Sequence, residues 1–336
     1  MLVKNEPAST PRRVGSAMLL AVLVLAVGCT GRQHGDLGQI QTSVTATSQT
    51  ASQAAPQSER SALRAPGGCT PDHQQACQEL YLEGSAAAMY PEPEDVRTDL
   101  VAILPSTPGL VWDGQGRILL STWTRWEYYE DPDDPTKPMY SPDQAFPLYG
   151  DTWFTIVPQV QEACRKIFPF GMDWVDLRLE QLIGLPPFNG YDAFLQVWVD
   201  PTTLFRPCPD PEISDRECQT NVPVETGLPA NSTPWAFCSD PSSPQVSSAF
   251  VDVASSSLEW MCDNWCTSYC NDTGYPCSCT TPEASAPFPW TALGYTYDWG
   301  RPANPQGFSE FVGPEGTSVN FESLVPTREY CAPPPR

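Results

Sequence analysis

The segment from Pro289-Trp290 to Asp298-Trp299-Gly300 gathers residues able to recognise a ligand. Trp290, Tyr295, Tyr297 and Trp299 offer aromatic faces to the apolar side of a sugar or peptide, and Asp298 adds a carboxylate. Glu310 follows in the next segment, and Arg206, earlier in the chain, can supply charge-assisted hydrogen bonds. Arg206, Trp290, Tyr295 and Trp299 are therefore the candidate ligand-binding residues, with Asp298 and Glu310 the candidate catalytic carboxyls should the site be an enzyme's. The competing reading is that the aromatics are core and the polar groups satisfy turns.

Other chemistries find little support. The chain has two histidines, His34 and His73, and neither is placed to activate a nucleophile in a formed pocket. No phosphate-cradling glycine loop, nucleophile elbow or haem-attachment motif occurs, so no cofactor is expected. Glu130, Asp131, Asp133 and Asp134 supply oxygen donors but lack the glycine and distal glutamate of a calcium loop, and read as a solvated acidic turn. Asp210, Glu212, Asp215 and Glu217, with Arg206 just before them, read as a charged loop pinned by a disulfide.

Twelve of the thirteen cysteines follow Cys29, an even number suited to disulfides in an oxidising compartment. Cys69 with Cys77 and Cys208 with Cys218 are the expected pairs, since each closes a short polar loop; the other eight stay unassigned. The run Cys262, Cys266, Cys270, Cys277, Cys279 has no histidine nearby and spacings unlike paired zinc ligands, so disulfides are expected there and no metal.

These residues need elements to position them. Leu110-Val111-Trp112 and Ile118-Leu119-Leu120 flank Asp113-Gly114-Gln115-Gly116, which predicts a hairpin. Phe308 to Val312 and Ser318 to Phe321, around Gly313-Pro314-Glu315-Gly316, predict a second. The almost wholly apolar run Ala193 to Val199 predicts a central strand buried on both faces. Val160, Cys164 and Ile167 behind Pro158 predict one helix. Val175, Leu179 and Leu182, capped by Asp173 and stopped by Gly184 and Pro186, predict another; Ala254, Leu258, Met261 and Trp265 predict a third. Strands and helices without regular alternation indicate an α+β fold, a mixed or antiparallel sheet with a few covering helices. With 38 prolines the chain must contain many irregular loops, stapled by disulfides.

At the other end, Lys4, Arg12 and Arg13 precede an apolar run from Ala17 to Val27 and then Gly28-Cys29. A charged region, an apolar region and a small residue form a signal peptide, and the run is too short to span a bilayer, which takes about 20 residues. Leu25-Ala26-Val27-Gly28-Cys29 resembles the lipobox of bacterial lipoproteins. That resemblance implies diacylglycerol on the Cys29 thiol, cleavage before it, and membrane anchoring through lipid; Thr30 in place of aspartate implies sorting to the outer membrane. The expected organisation is a signal peptide at 1–28, a disordered Thr-, Ser-, Gln- and Ala-rich tether at 29–66, and one folded domain at 67–336.

Three further stretches resemble one uncharacterised group of exported bacterial proteins. They are Arg178-Leu179-Glu180-Gln181-Leu182-Ile183-Gly184-Leu185-Pro186-Pro187, the segment Val197 to Glu212, and Pro289 to Gly300. The resemblance implies an exported protein and no particular activity. The net charge of −22 becomes −24 once residues 1–28 take away Lys4, Arg12, Arg13 and Glu6, which opposes nucleic acid as a partner. Two functions remain open for a cell-envelope lipoprotein: noncatalytic binding of a glycan or envelope protein, which makes fewer demands, and carboxylate-based glycan hydrolysis.

Overall fold

A computed structural model describes residues 66–88, 91–208, 211–218, 260, 263–264 and 288–334, all within one compact unit, Ser52–Arg336. The signal, lipobox and tether expectations, the third helical stripe, save parts of its surroundings, and the 262–279 cysteine run lie outside the described residues. The fold is α+β, built on a seven-stranded antiparallel sheet.

In chain order the elements are α1 (Gln74–Ala88), β1 (Ile118–Thr124), β2 (Glu130–Asp131), β3 (Asp134–Pro138), β4 (Ala145–Pro147), β5 (Thr152–Ile156), α2 (Val157–Ile167), α3 (Met172–Ile183), β6 (Ala193–Val199), β7 (Tyr295–Tyr297), β8 (Gln306–Gly313), β9 (Ser318–Pro326) and the single turn α4 (Thr327–Tyr330). The sheet runs β4-β9-β6-β1-β5-β8-β7, with β2 and β3 forming a separate ribbon. The predicted central strand is β6, paired along its length to β1 on one edge and β9 on the other.

The first hairpin is present in reduced form. Trp112 bridges Ile118, Leu119 N–H donates to Val111 C=O, and the Asp113 carboxylate takes the backbone N–H of Gln115 and Arg117 at 2.8 Å. The second hairpin expectation is corrected. β8 and β9 form where the sequence places them, yet β8 pairs with β5 and β7, and β9 with β4 and β6. Three strands separate them, about 19 Å across a flat sheet, and the tight turn closed by Thr317 N–H to Pro314 C=O cannot span that distance. The sheet therefore curls. Its inner face brings Leu120, Phe154, Val197, Phe311 and Phe321 into one core. Glycine and proline specify a reversal of direction; the burial of Phe311 and Phe321 in that core chooses the strand partners.

Helices α2 and α3 cover the opposite face, where Trp123, Val160, Cys164, Val175, Leu179 and Phe194 interlock. Pro158 stands in the first turn of α2, as its missing N–H permits. α3 begins at Gly171, not at Asp173, which lies one residue inside the helix. It ends on Gly184, whose φ of 77° suits glycine, with Leu185 N–H reaching back to Glu180 C=O. Along α1, Cys77, Leu80, Tyr81, Gly84, Ser85 and Ala88 form the buried stripe.

Disulfides Cys69–Cys77 and Cys208–Cys218 are present as expected, and Cys164–Cys331 joins α2 to the residue after α4. Among the described residues no helix is long and apolar enough to cross a membrane.

Candidate functional site

Ser121 of β1, Thr155 of β5 and Glu310 of β8 stand in register across three neighbouring strands. Because strand side chains alternate, these polar residues point away from the core that takes Leu120, Phe154 and Phe311. They line a cavity of about 340 Å³ beneath the C-terminal end of α3, together with Trp123, Trp153, Tyr191, Trp290 and Tyr297. Thr296 fixes that helix end to the sheet: its hydroxyl donates to Leu182 C=O at 2.6 Å and accepts Phe308 N–H at 2.8 Å.

Trp153 and Trp290 form one wall, with Trp260 packed against both. Trp153, Trp260 and Trp290 contact one another, with ring centroids 5.6 to 6.1 Å apart, and the Trp260 indole N–H donates to Asp151. The other Asp151 oxygen accepts Glu315 N–H at 2.9 Å, so this exposed carboxylate at the cavity lining is engaged on both oxygens.

Glu310 differs from it. It is 5% exposed, and its Oε1 has no hydrogen-bond partner among the described residues. Burial pushes its pKa up to about 8 against the opposing pull of the Arg206 charge, so at neutral pH the group is mostly a neutral acid. A buried polar atom without a partner costs about 1–3 kcal/mol. A ligand hydroxyl entering the cavity would remove that cost. Ser121 and Thr155 beside it already share a hydroxyl contact at 3.5 Å.

The structure divides the sequence-derived candidates. Glu310 and Trp290 line this cavity, the latter 5% exposed and packed edge-on to Trp153 and Trp260, whereas the other four do not reach it. Trp299 is fully buried, edge-on to Tyr81, with its indole N–H on Leu185 C=O at 3.0 Å. Asp298 is clamped by the Arg178 guanidinium, Nη1 donating to Oδ1 at 2.6 Å and Nη2 to Oδ2. Tyr295 donates its hydroxyl to Asp95 C=O at 2.9 Å. Arg206, also fully buried, organises the disulfide loop by donating to the carbonyls of Glu212 and Asp215 and, beyond the loop, to that of Val101. Asp298 and Glu310 therefore do not share a cleft. The sequence reading missed Ser121, Trp123, Trp153, Thr155 and Tyr191, although serine and threonine next to core residues on the strands carried the signal.

No family model, curated protein or solved structure matches the chain.

The remaining polar candidates have local duties. Asp134 accepts from Thr136 and pairs with Lys137 at 2.6 Å, and Asp131 accepts Asp133 N–H at 2.8 Å, closing the turn of the β2–β3 ribbon. His73 shares a 2.7 Å hydrogen bond with Thr70 inside its disulfide loop. Among the described residues no group of three or more His, Cys, Asp or Glu is arranged to hold a metal ion. Asp210 and the 262–279 cysteines lie outside the described residues.

Proposed function

We propose that this chain is a cell-envelope lipoprotein, anchored through lipid on Cys29, whose aromatic cavity binds a small saccharide or saccharide-bearing fragment without turning it over. The observation that carries the binding reading is the buried Glu310 carboxyl, one oxygen without a partner among the described residues, in a cavity lined by Trp123, Trp153 and Trp290. A neutral acid can donate to one sugar hydroxyl and accept from another, and indole faces stack on the sugar's apolar side. The volume of about 340 Å³ falls at the small end of the usual range for such sites.

Soluble glycans and peptidoglycan fragments, titrated against tryptophan fluorescence and by calorimetry, test it. Saturable binding that Trp290→Ala weakens while the fold is retained, with no product formed, is the expected result. Failure of every glycan to bind overturns the reading. A hydrolase is the second reading, favoured by Asp151 and Glu310 lining one cavity with Glu310 held as an acid; turnover abolished by Glu310→Gln would establish it. For the anchor, Cys29→Ala should release the protein from membranes on carbonate washing, and a variant that stayed bound would exclude lipid on that residue.

A further inference from the structure

A second hollow, of about 330 Å³, is lined by Asp72 of the Cys69–Cys77 loop, Asp173, Asp176 and Glu180 of α3, and Phe188 and Tyr191 ahead of β6. Asp173, Asp176 and Glu180 follow one another at i, i+3 and i+7 and so share one helix face, strung over roughly 10 Å of its length. No Lys, Arg or His is among the described residues that line the hollow. Arg178, on the same helix, is committed to Asp298.

Glu180 is the decisive residue. It is 3% exposed; its Oε1 accepts Asn189 N–H at 3.0 Å, while its Oε2 is buried with no hydrogen-bond partner among the described residues. A carboxylate oxygen in this state beside three more acids suits a cationic ligand. Among the described residues no three carboxylates come together around one point as a metal ion's ligands would. An extended chain of ammonium groups matches a linear array of acids, and Leu177, Phe188 and Tyr191 supply apolar surface for methylenes and aromatic faces for the charge. We propose that this hollow binds an aliphatic di- or polyamine through Asp72, Asp173, Asp176 and Glu180. The proposal does not depend on the saccharide reading of the other cavity.

Electrostatics add a measurable property. Burial, then the charges of Asp173 and Asp192, push Asp176 up to about 6 against the pull of Arg328. Burial pushes Glu180 up to about 7, opposed by the backbone N–H groups of Phe188 and Asn189, with Asp176 adding to the rise. Exposed Asp72 and the Tyr191 hydroxyl also border the hollow, and the Arg125 guanidinium lies behind Gly190, its Nη2 donating to Asn189 C=O at 2.8 Å. An amine binds the ionised carboxylates, so binding releases protons and tightens as pH rises. Between about pH 5.5 and about pH 7.5, ionisation of Glu180 alone should raise affinity about 25-fold.

The test is calorimetric titration of the full-length chain with spermidine, putrescine, n-butylamine and calcium chloride at both pH values, in buffers of different ionisation enthalpy. The expected result is spermidine binding tighter than putrescine, with n-butylamine and calcium much weaker, proton release, and affinity rising with pH. Asp176→Asn and Glu180→Gln should each weaken spermidine about tenfold or more, as loss of a charge-assisted contact does, and flatten the pH dependence. Asp133→Asn, on the β2–β3 turn, should change nothing. Both site variants mimic the protonated groups the folded protein already tolerates, and near-ultraviolet circular dichroism verifies their fold. Equal binding by wild type and the Asp176→Asn, Glu180→Gln double variant, absence of spermidine binding, or calcium binding tighter than spermidine would each overturn the proposal. Should a variant unfold, wild-type affinity that does not rise with pH overturns it equally.

Discussion

Replacing Asp298 with alanine leaves the Arg178 guanidinium buried without its counter-charge. The two side chains are 3% and 6% exposed, and the contact is bidentate, with Arg178 Nη1 donating also to Gln181 Oε1 at 3.1 Å. Removing one partner of such a pair costs about 3–5 kcal/mol, a large part of the ~5–15 kcal/mol that holds a domain folded. The loss should spread locally, because Asp298 precedes Trp299, whose ring packs on Tyr81 of α1. Urea denaturation with disulfides intact, followed by tryptophan fluorescence, should show the midpoint falling accordingly. Arg178→Met combined with Asp298→Leu removes both charges and should recover most of the loss, since an apolar pair escapes desolvation. A cost below about 1 kcal/mol for Asp298→Ala, or a double variant as unstable as the single, would show that the pair is not desolvated as described.

Three other outcomes follow from the same geometry. Glu310 has its folded pKa raised to about 8 above its ordinary value of 4.5, so stability is full at low pH and declines as pH rises through that interval; Glu310→Gln should therefore gain in thermal midpoint over wild type from pH 5 to pH 9, and parallel profiles would contradict the burial. A Cβ at Gly84 would stand 2.8 Å from Trp299 Cβ, so Gly84→Ala should lower the denaturation midpoint, overpacking of about 1–3 kcal/mol outweighing a helix-propensity gain of about 1 kcal/mol. Disulfide Cys164–Cys331 joins residues 167 apart, and by loop-closure entropy the Cys164→Ala, Cys331→Ala pair should lose about 5 kcal/mol in equilibrium unfolding.

What could be read from the sequence was local and strongly patterned. β6 was legible because a strand buried on both faces must be apolar throughout, and the Ala193 to Val199 run is broken only by Gln196. α2 and α3 were legible from their stripes and stop signals. α1 was not, because Gly84, Ser85 and Ala88 carry little hydrophobicity although they share the buried face. Of the residues singled out for a ligand, the cavity was legible only in Trp290, Tyr297 and Glu310. Its other parts come from β1, β5 and the turn before β6, brought together by strand pairings that leave no mark at short range. The aromatic run 290–299 misled for the converse reason: neighbours in sequence, Trp290 and Trp299 are consumed by different faces of the packing.

The place of β9 bears on how the chain acquires this structure. It enters the sheet between β4 and β6, elements made some 120 residues or more earlier. Until residues 318–326 are available, β6 has a bare edge and β4 has no neighbour. A chain emerging at about 5–20 residues per second thus stays open for several seconds after its central strands exist. Assembly is gated by a late segment, and loop closure over such separations is slow. A chain handled in extended form during that interval would be accessible to partners that bind unpaired strands, and folding would be committed only when β9 slots into place.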